Sequence, residues 1–314
     1  MKLKSVIGAA GCVLALLSSS AFAQDAKPVK SVGISVGSLG NPFYVAAVKG
    51  ITDAAKKLNP DVKITAVSAD YDLNKQLSQI DSFVGAGVDI MMIVPVDPKA
   101  SVPAVKKAKD AGIVVGAFDT TASNADVSVS TDNVKAGEQA CQYLADQLGG
   151  KGNIVILNGE QVSAVVDRLN GCKSVLAKNP EMKVVADQNT TGSRDGGLKI
   201  MQSILTANDK VDGVFGTNDP ASIGGDLAGK QMNRSDFIIA SVDGAPDTEA
   251  LIKSGKTHIK ATASQDPYNM AGQSFELAVQ VFQGKTPEKT TVLLEPKLVT
   301  SENVGEYKGW TAAR

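Results

Sequence analysis

The sequence predicts an α/β protein of two similar lobes, each built on a parallel-type central sheet. Three observations carry that prediction. From Ser31 onward, short runs rich in Val and Ile alternate with longer amphipathic segments. The short runs are nearly all apolar, as strands are when helices cover both faces of a parallel sheet. The alternation pauses over a polar stretch, 120–126, and then resumes, which divides the chain into two blocks of comparable length.

In the first block, strands are expected over 32–36, 62–67, 90–94 and 113–117. Helices are expected between them over 42–58, 73–84 and 99–109. Asn41-Pro42 reads as a helix start, because Asn caps free N–H groups and Pro in the first turn has no N–H to lose. Leu73, Leu77, Ile80 and Val84 fall on one helical face. In the second block, strands are expected over 154–157, 183–186, 213–215, 237–241 and 259–263. Its helices are expected over 133–148, 162–177, 194–207, 221–229 and 248–253. A last helix over 267–282 precedes short strands at 292–294 and 298–299.

The N-terminus has a different character. Met1-Lys2-Leu3-Lys4 leads into an apolar run over 6–17 and then Ala21-Phe22-Ala23, the order of a secretory signal peptide ending in a small-x-small cleavage site. A run of about 12 residues falls short of the roughly 20 that span a bilayer core. Residues 1–23 are therefore expected to be removed on export, leaving a soluble chain outside the cytoplasm. Losing Lys2 and Lys4 moves the formal charge from −1 to −3, and no basic block or basic-aromatic patch suggests nucleic acid as a partner.

Cys12 leaves with the signal, so Cys141 and Cys172 remain. Each lies on the apolar face of an expected helix, and the two helices flank the strand at 154–157. Export to an oxidising compartment favours a disulfide between them, while two small buried side chains would satisfy the same pattern. Neither these two residues nor the single histidine, His258, suggests a metal site, and no cofactor is expected.

Ligands of open parallel sheets sit outside the carboxyl ends of the strands. There the sequence places Asn41, Asp119, Asn218, Asp219 and Asp243, with Phe43 and Tyr44 in the first turn of a helix at the mouth of the crevice. Arg168 and Gln265 extend the set. Carboxylates accept from paired hydroxyls, Arg and Asn donate to oxygens, and aromatic rings cover C–H faces, so the set suits a polyhydroxy solute. Each Asp or Asn could equally cap a helix or close a turn. Enzyme signatures are weak: Gly159-Glu160-Gln161-Val162-Ser163 is no nucleophile elbow, and neither a P-loop nor a dinucleotide fingerprint occurs. A carboxylate-based carbohydrate enzyme is the less favoured reading of the same residues.

Asn41-Pro42-Phe43-Tyr44, Pro95-Val96-Asp97-Pro98, Thr131-Asp132-Asn133 with Gly137, Asn218-Asp219, Val242-Asp243-Gly244 and Ala261-Thr262-Ala263-Ser264-Gln265 occur in that order. Together they resemble the ribose/galactose-type periplasmic sugar-binding proteins of bacterial ABC importers, over about 30–294. The resemblance implies two Rossmann-like lobes joined by a three-segment hinge, a type I periplasmic binding protein. One lobe would comprise 24–131 with 266–290, the other 132–265 with 291–314. It further implies a monomer that closes on a neutral sugar or polyol and delivers it to a membrane permease. A receptor presenting the sugar to a chemoreceptor or sensor kinase is the alternative.

Carried over position by position, ligand contacts would come from Asn41, Phe43, Tyr44 and Asp119 in the first lobe, and from Arg168, Asn218 and Asp243 in the second. Gln265 would contact the ligand from a crossover, and Asp219 would stand behind Asn218 as support. Three positions depart from the ribose-binding pattern. Val94 stands where that pattern has Asn, Thr120 where it has Arg, and Gly192 where it has an aromatic residue. Losing two polar partners and one ring shifts the expectation from ribose to another pentose, a hexose or a polyol.

Overall fold

The computed structural model describes residues 27–310, so the expected signal peptide at 1–23 lies outside the described residues. The first sheet contains β1 (Ser31–Val36), β2 (Lys63–Ser68), β3 (Ile90–Ile93), β4 (Val114–Phe118), β5 (Val127–Thr131) and β11 (Thr291–Leu294). Its order is β11-β5-β4-β3-β1-β2, and every pairing is parallel. The second contains β6 (Lys151–Asn158), β7 (Glu181–Asn189), β8 (Gly213–Gly216), β9 (Ile238–Asp243), β10 (Ile259–Ser264) and β12 (Lys297–Thr300). Its order is β12-β10-β9-β8-β6-β7, with only the edge strand β12 antiparallel.

The helices follow the expected alternation: α1 (Pro42–Leu58), α2 (Leu73–Ala86) and α3 (Val102–Asp110) in the first block. In the second come α4 (Asn133–Leu148), α5 (Ser163–Lys178), α6 (Arg194–Ala207), α7 (Asp219–Gln231) and α8 (Pro246–Ser254). Helix α9 (Pro267–Phe282) returns to the first lobe, where it packs on α1, β4 and β5. Side-chain caps set several starts: Asn41 accepts from the Phe43 N–H at 3.0 Å, and Asp132 from the Lys135 N–H at 3.0 Å.

Two expectations are corrected. Val127–Thr131 is a strand, although its alternating Ser and Thr gave no apolar run; Val127 and Val129 are buried in the first lobe's core. The chain also changes sheets later than expected. Thr291–Leu294 pairs with Ser128–Thr131 in the first sheet, where Val292 and Leu294 pack against its core, so the last crossing falls between Leu294 and Lys297. Residues 291–294 therefore sit in the first lobe, not the second.

Each lobe buries apolar side chains on both sheet faces. Ile34, Ile90, Phe118 and Phe275 anchor the first core, and Ile154, Phe215 and Leu144 the second. Each such side chain contributes about 1.5–3 kcal/mol when fully removed from water. In the second lobe α4 and α5 approach closely: a Cβ on Gly137 would meet the Arg168 carbonyl oxygen at 1.9 Å, and one on Gly171 the Val134 carbonyl oxygen at 2.0 Å. One turn farther along, Cys141 and Cys172 are disulfide-bonded with Cα atoms 5.1 Å apart, within the usual range. Of the two sequence readings, the bridge is the one realised.

Candidate functional site

The carboxyl ends of β1, β2 and β4 face those of β6 through β10 across one small cavity of about 40 Å³, at the strand ends where open parallel sheets hold their ligands. Asn41, Phe43, Tyr44, Tyr71 and Asp119 line it from the first lobe. Glu160, Arg168, Gly192, Asn218, Asp243 and Gln265 line it from the second lobe and the hinge. All eight residues expected to touch a ligand thus border one space.

Their individual geometry refines the expectation. Phe43 and Tyr44 are buried rather than standing at the cleft mouth. Phe43 meets Tyr44 edge-on at 5.4 Å between ring centroids and meets Trp310 in the same manner at 5.7 Å. The Tyr44 hydroxyl donates to Asp119 Oδ2 at 3.1 Å. Asn218 is engaged on both sides of its amide. It accepts from the Ala221 N–H at 3.1 Å, capping α7, and donates to the Gly192 carbonyl at 2.8 Å.

Of the two carboxylates expected to touch a ligand, Asp119 and Asp243, Asp243 is the more heavily supported. Its Oδ1 accepts from Arg168 Nη1 at 3.2 Å and from Gln265 Nε2 at 2.7 Å, and its Oδ2 from the Asp219 N–H at 3.2 Å. Arg168 is itself fixed, donating from Nε to Asn133 Oδ1 and from Nη1 to the Thr217 carbonyl, both at 2.8 Å. Asp219 does not line the cavity. It accepts from Ser241 Oγ, from Thr262 Oγ1 at 2.9 Å and from the Ala245 N–H at 2.7 Å, tying together the ends of β9 and β10. Gln265 Oε1 is buried and has no protein partner.

Burial dominates the electrostatics. It raises the Asp119 carboxyl to about 6, against the opposing pull of Arg168 and the Tyr44 hydrogen bond. Burial also raises Asp219, to about 7, with the neighbouring Asp243 charge adding to it. Asp243 is raised by burial too, with Arg168 the main influence holding it down. Backbone strain gathers at the same place. Of the seven non-glycine residues described with positive φ, four line the cavity: Tyr71 (56°), Asp119 (65°), Thr191 (55°) and Asp243 (141°). Such strain concentrates where surrounding structure holds side chains for binding.

Sequence reasoning missed Tyr71, Glu160, Asn133 and Trp310 as parts of this site. Tyr71 follows β2, and its hydroxyl meets Tyr44 and Asn41; burial pushes it up to about 12. Extending the strand-end rule to β2 would have found it. The three departures from the ribose pattern are also placed. Val94 is buried in the first core, Thr120 donates to the Pro95 carbonyl at 3.2 Å, and Gly192 borders the cavity with no side chain to cover a ligand.

The sequence model of the periplasmic binding protein domain matches residues 32–286. The ribose import binding protein of Bacillus subtilis is 33% identical, with 85% of this chain and 88% of that protein aligned. The xylitol-binding protein of Mycolicibacterium smegmatis is 32% identical over 88% of this chain and 78% of its own. An ABC transporter solute binding protein of Bacillus halodurans, solved with bound myo-inositol, superposes with a TM-score of 0.83 at 27% identity, covering 91% of this chain and 99% of that one. By sequence and by fold, the chain belongs to the periplasmic binding protein family.

Proposed function

We propose that this chain is the periplasmic solute-binding component of an ABC importer, holding one neutral monosaccharide or polyol between its lobes for delivery to the permease. The observation that carries this reading is the convergence of Asp119 and Asp243, one from each lobe, on a single cavity. Both are acceptors, and the buried Gln265 Oε1 adds a third without a protein partner. A hydroxyl-rich ligand supplies the donors that these groups lack, and leaving them unmatched is costly. Arg168 uses three of its five N–H groups on Asn133, Thr217 and Asp243, which leaves two for ligand oxygens. Phe43, Tyr44 and Tyr71 supply apolar faces.

The charge balance narrows the class further. Asp119, Asp243 and Glu160 share the cavity with Arg168, the one cation among the described residues that line it. An added phosphate or carboxylate would meet net negative charge, so sugar phosphates and sugar acids are disfavoured. The relatives aligned above are named as binding proteins for ribose and xylitol, which agrees with a neutral polyhydroxy ligand.

A thermal-shift panel of pentoses, hexoses, polyols and one sugar phosphate tests the proposal. A neutral member at a hundred times its Kd should stabilise the fold by about 2.7 kcal/mol. Stabilisation by the sugar phosphate alone, or by no neutral member, would contradict it.

A further inference from the structure

The chain's single tryptophan stands immediately behind the cavity, beyond the 32–286 region matched by the family's sequence model. Trp310 Nε1 donates to the Asp243 carbonyl at 3.2 Å and to the Gln265 carbonyl at 3.0 Å. The same two residues are already joined twice. The Gln265 N–H donates to the Asp243 carbonyl at 2.8 Å, and Gln265 Nε2 to the Asp243 carboxylate at 2.7 Å. Trp310 also packs its ring edge-on against Phe43, on the first helix of the opposite lobe. Three residues earlier, the Tyr307 hydroxyl donates to the Gly244 carbonyl at 2.9 Å.

We infer that Trp310 is a positioning residue of the ligand site, and that the tail carrying it links Asp243 and Gln265 to Phe43 across the hinge. The physical need is local. Asp243 has φ of 141°, a conformation that L side chains rarely adopt, and is followed by Gly244 at 71°. A backbone held so far from its relaxed state persists only where its neighbours over-determine it. The indole N–H and the Tyr307 hydroxyl engage successive carbonyls of that turn, which aims the Asp243 carboxylate at the cavity. The inference rests on this cavity being the ligand site.

The test compares wild-type protein with Trp310→Phe and Trp310→Ala. Its first readout needs no ligand: exchange of the Gln265 amide hydrogen, measured by NMR. Both variants should exchange it at least tenfold faster, while the Val214 and Phe215 amides of β8 keep their protection. Trp310→Phe should retain the melting temperature because its ring still packs on Phe43, whereas Trp310→Ala should lower it. The second readout is affinity for D-ribose, xylitol and myo-inositol. For whichever of these the wild type binds, both variants should lose tenfold or more. Wild-type exchange at Gln265 in Trp310→Phe, acceleration spread uniformly over the second lobe, or undiminished affinity would each overturn the inference. Failure of the wild type to bind any probe would count against the proposed ligand class, and the exchange comparison would still decide the role of Trp310.

Discussion

The two lobes bring differently prepared carboxylates to the same cavity. Asp243, in the second lobe, receives three hydrogen bonds, one of them from Arg168. Asp119, in the first, receives one, from the uncharged Tyr44 hydroxyl. The helices behind them differ as well: α4 and α5 behind Asp243 are locked by close glycine contacts and by Cys141–Cys172. The second lobe thus presents a preorganised acceptor, and the first a buried acceptor whose missing partners the ligand must supply. Preorganisation lowers the ordering cost of binding, while unmet capacity makes closure of the first lobe depend on the ligand.

The sharpest way to break this contrast is Arg168→Ala. It leaves the Asp243 charge uncompensated in a buried setting and strips donors from Asn133 and the Thr217 carbonyl. Loss of one partner from a buried pair costs about 3–5 kcal/mol. Urea unfolding should show a shift of that size, and a shift within the scatter of surface substitutions, about 0.5 kcal/mol, would mean the network is not what holds Asp243.

Removing the bridge with Cys141→Ser and Cys172→Ser together tests the second lobe's rigidity. Its closed loop spans a sequence separation of 31, for which chain entropy gives about 3–4 kcal/mol. Equal denaturation midpoints for the double variant and the oxidised wild type would remove the bridge from the account.

The pH response separates the lobes more finely. Asp119 is raised to about 6 in the free protein, and hydroxyl donors favour its ionised form. Affinity should therefore rise as pH increases through 6, and at pH 5 it should be about tenfold below its plateau. Stability of the free protein should run the other way. The contribution of a raised carboxyl is fully present below its unfolded value, about 3.9, and is lost as pH rises through 6. Subtracting the profile of Asp119→Asn isolates both trends from Asp219 and Asp243, and identical profiles in the two proteins would refute the assignment.

Much of this arrangement was legible in the sequence, because its causes are local. Asn41-Pro42 marks a capped helix start, near-continuous Val and Ile mark buried parallel strands, and Asp119 and Asp243 fall where such strands end. What escaped depends on tertiary contact. Strand β5 is built from Val alternating with Ser and Thr, so it lacks an apolar run, yet Ser130 and Thr131 are buried with it. Tyr71 occupies left-handed backbone, which a bulky side chain adopts only when packing imposes it. Trp310 follows a turn-rich tail with no periodicity, and its partners, Phe43, Asp243 and Gln265, are distant in sequence. Neither a spacing nor a capping signal could have joined them.

The central claim is that one ligand bridges Asp119 and Asp243. Calorimetric titration of the wild type, Asp119→Asn and Asp243→Asn with the compound found by the stability panel tests it most directly. Each substitution replaces an acceptor oxygen with a donor while keeping size, so each should weaken binding at least tenfold with the wild-type stoichiometry of one. Wild-type affinity in both variants would place the ligand somewhere other than between these lobes.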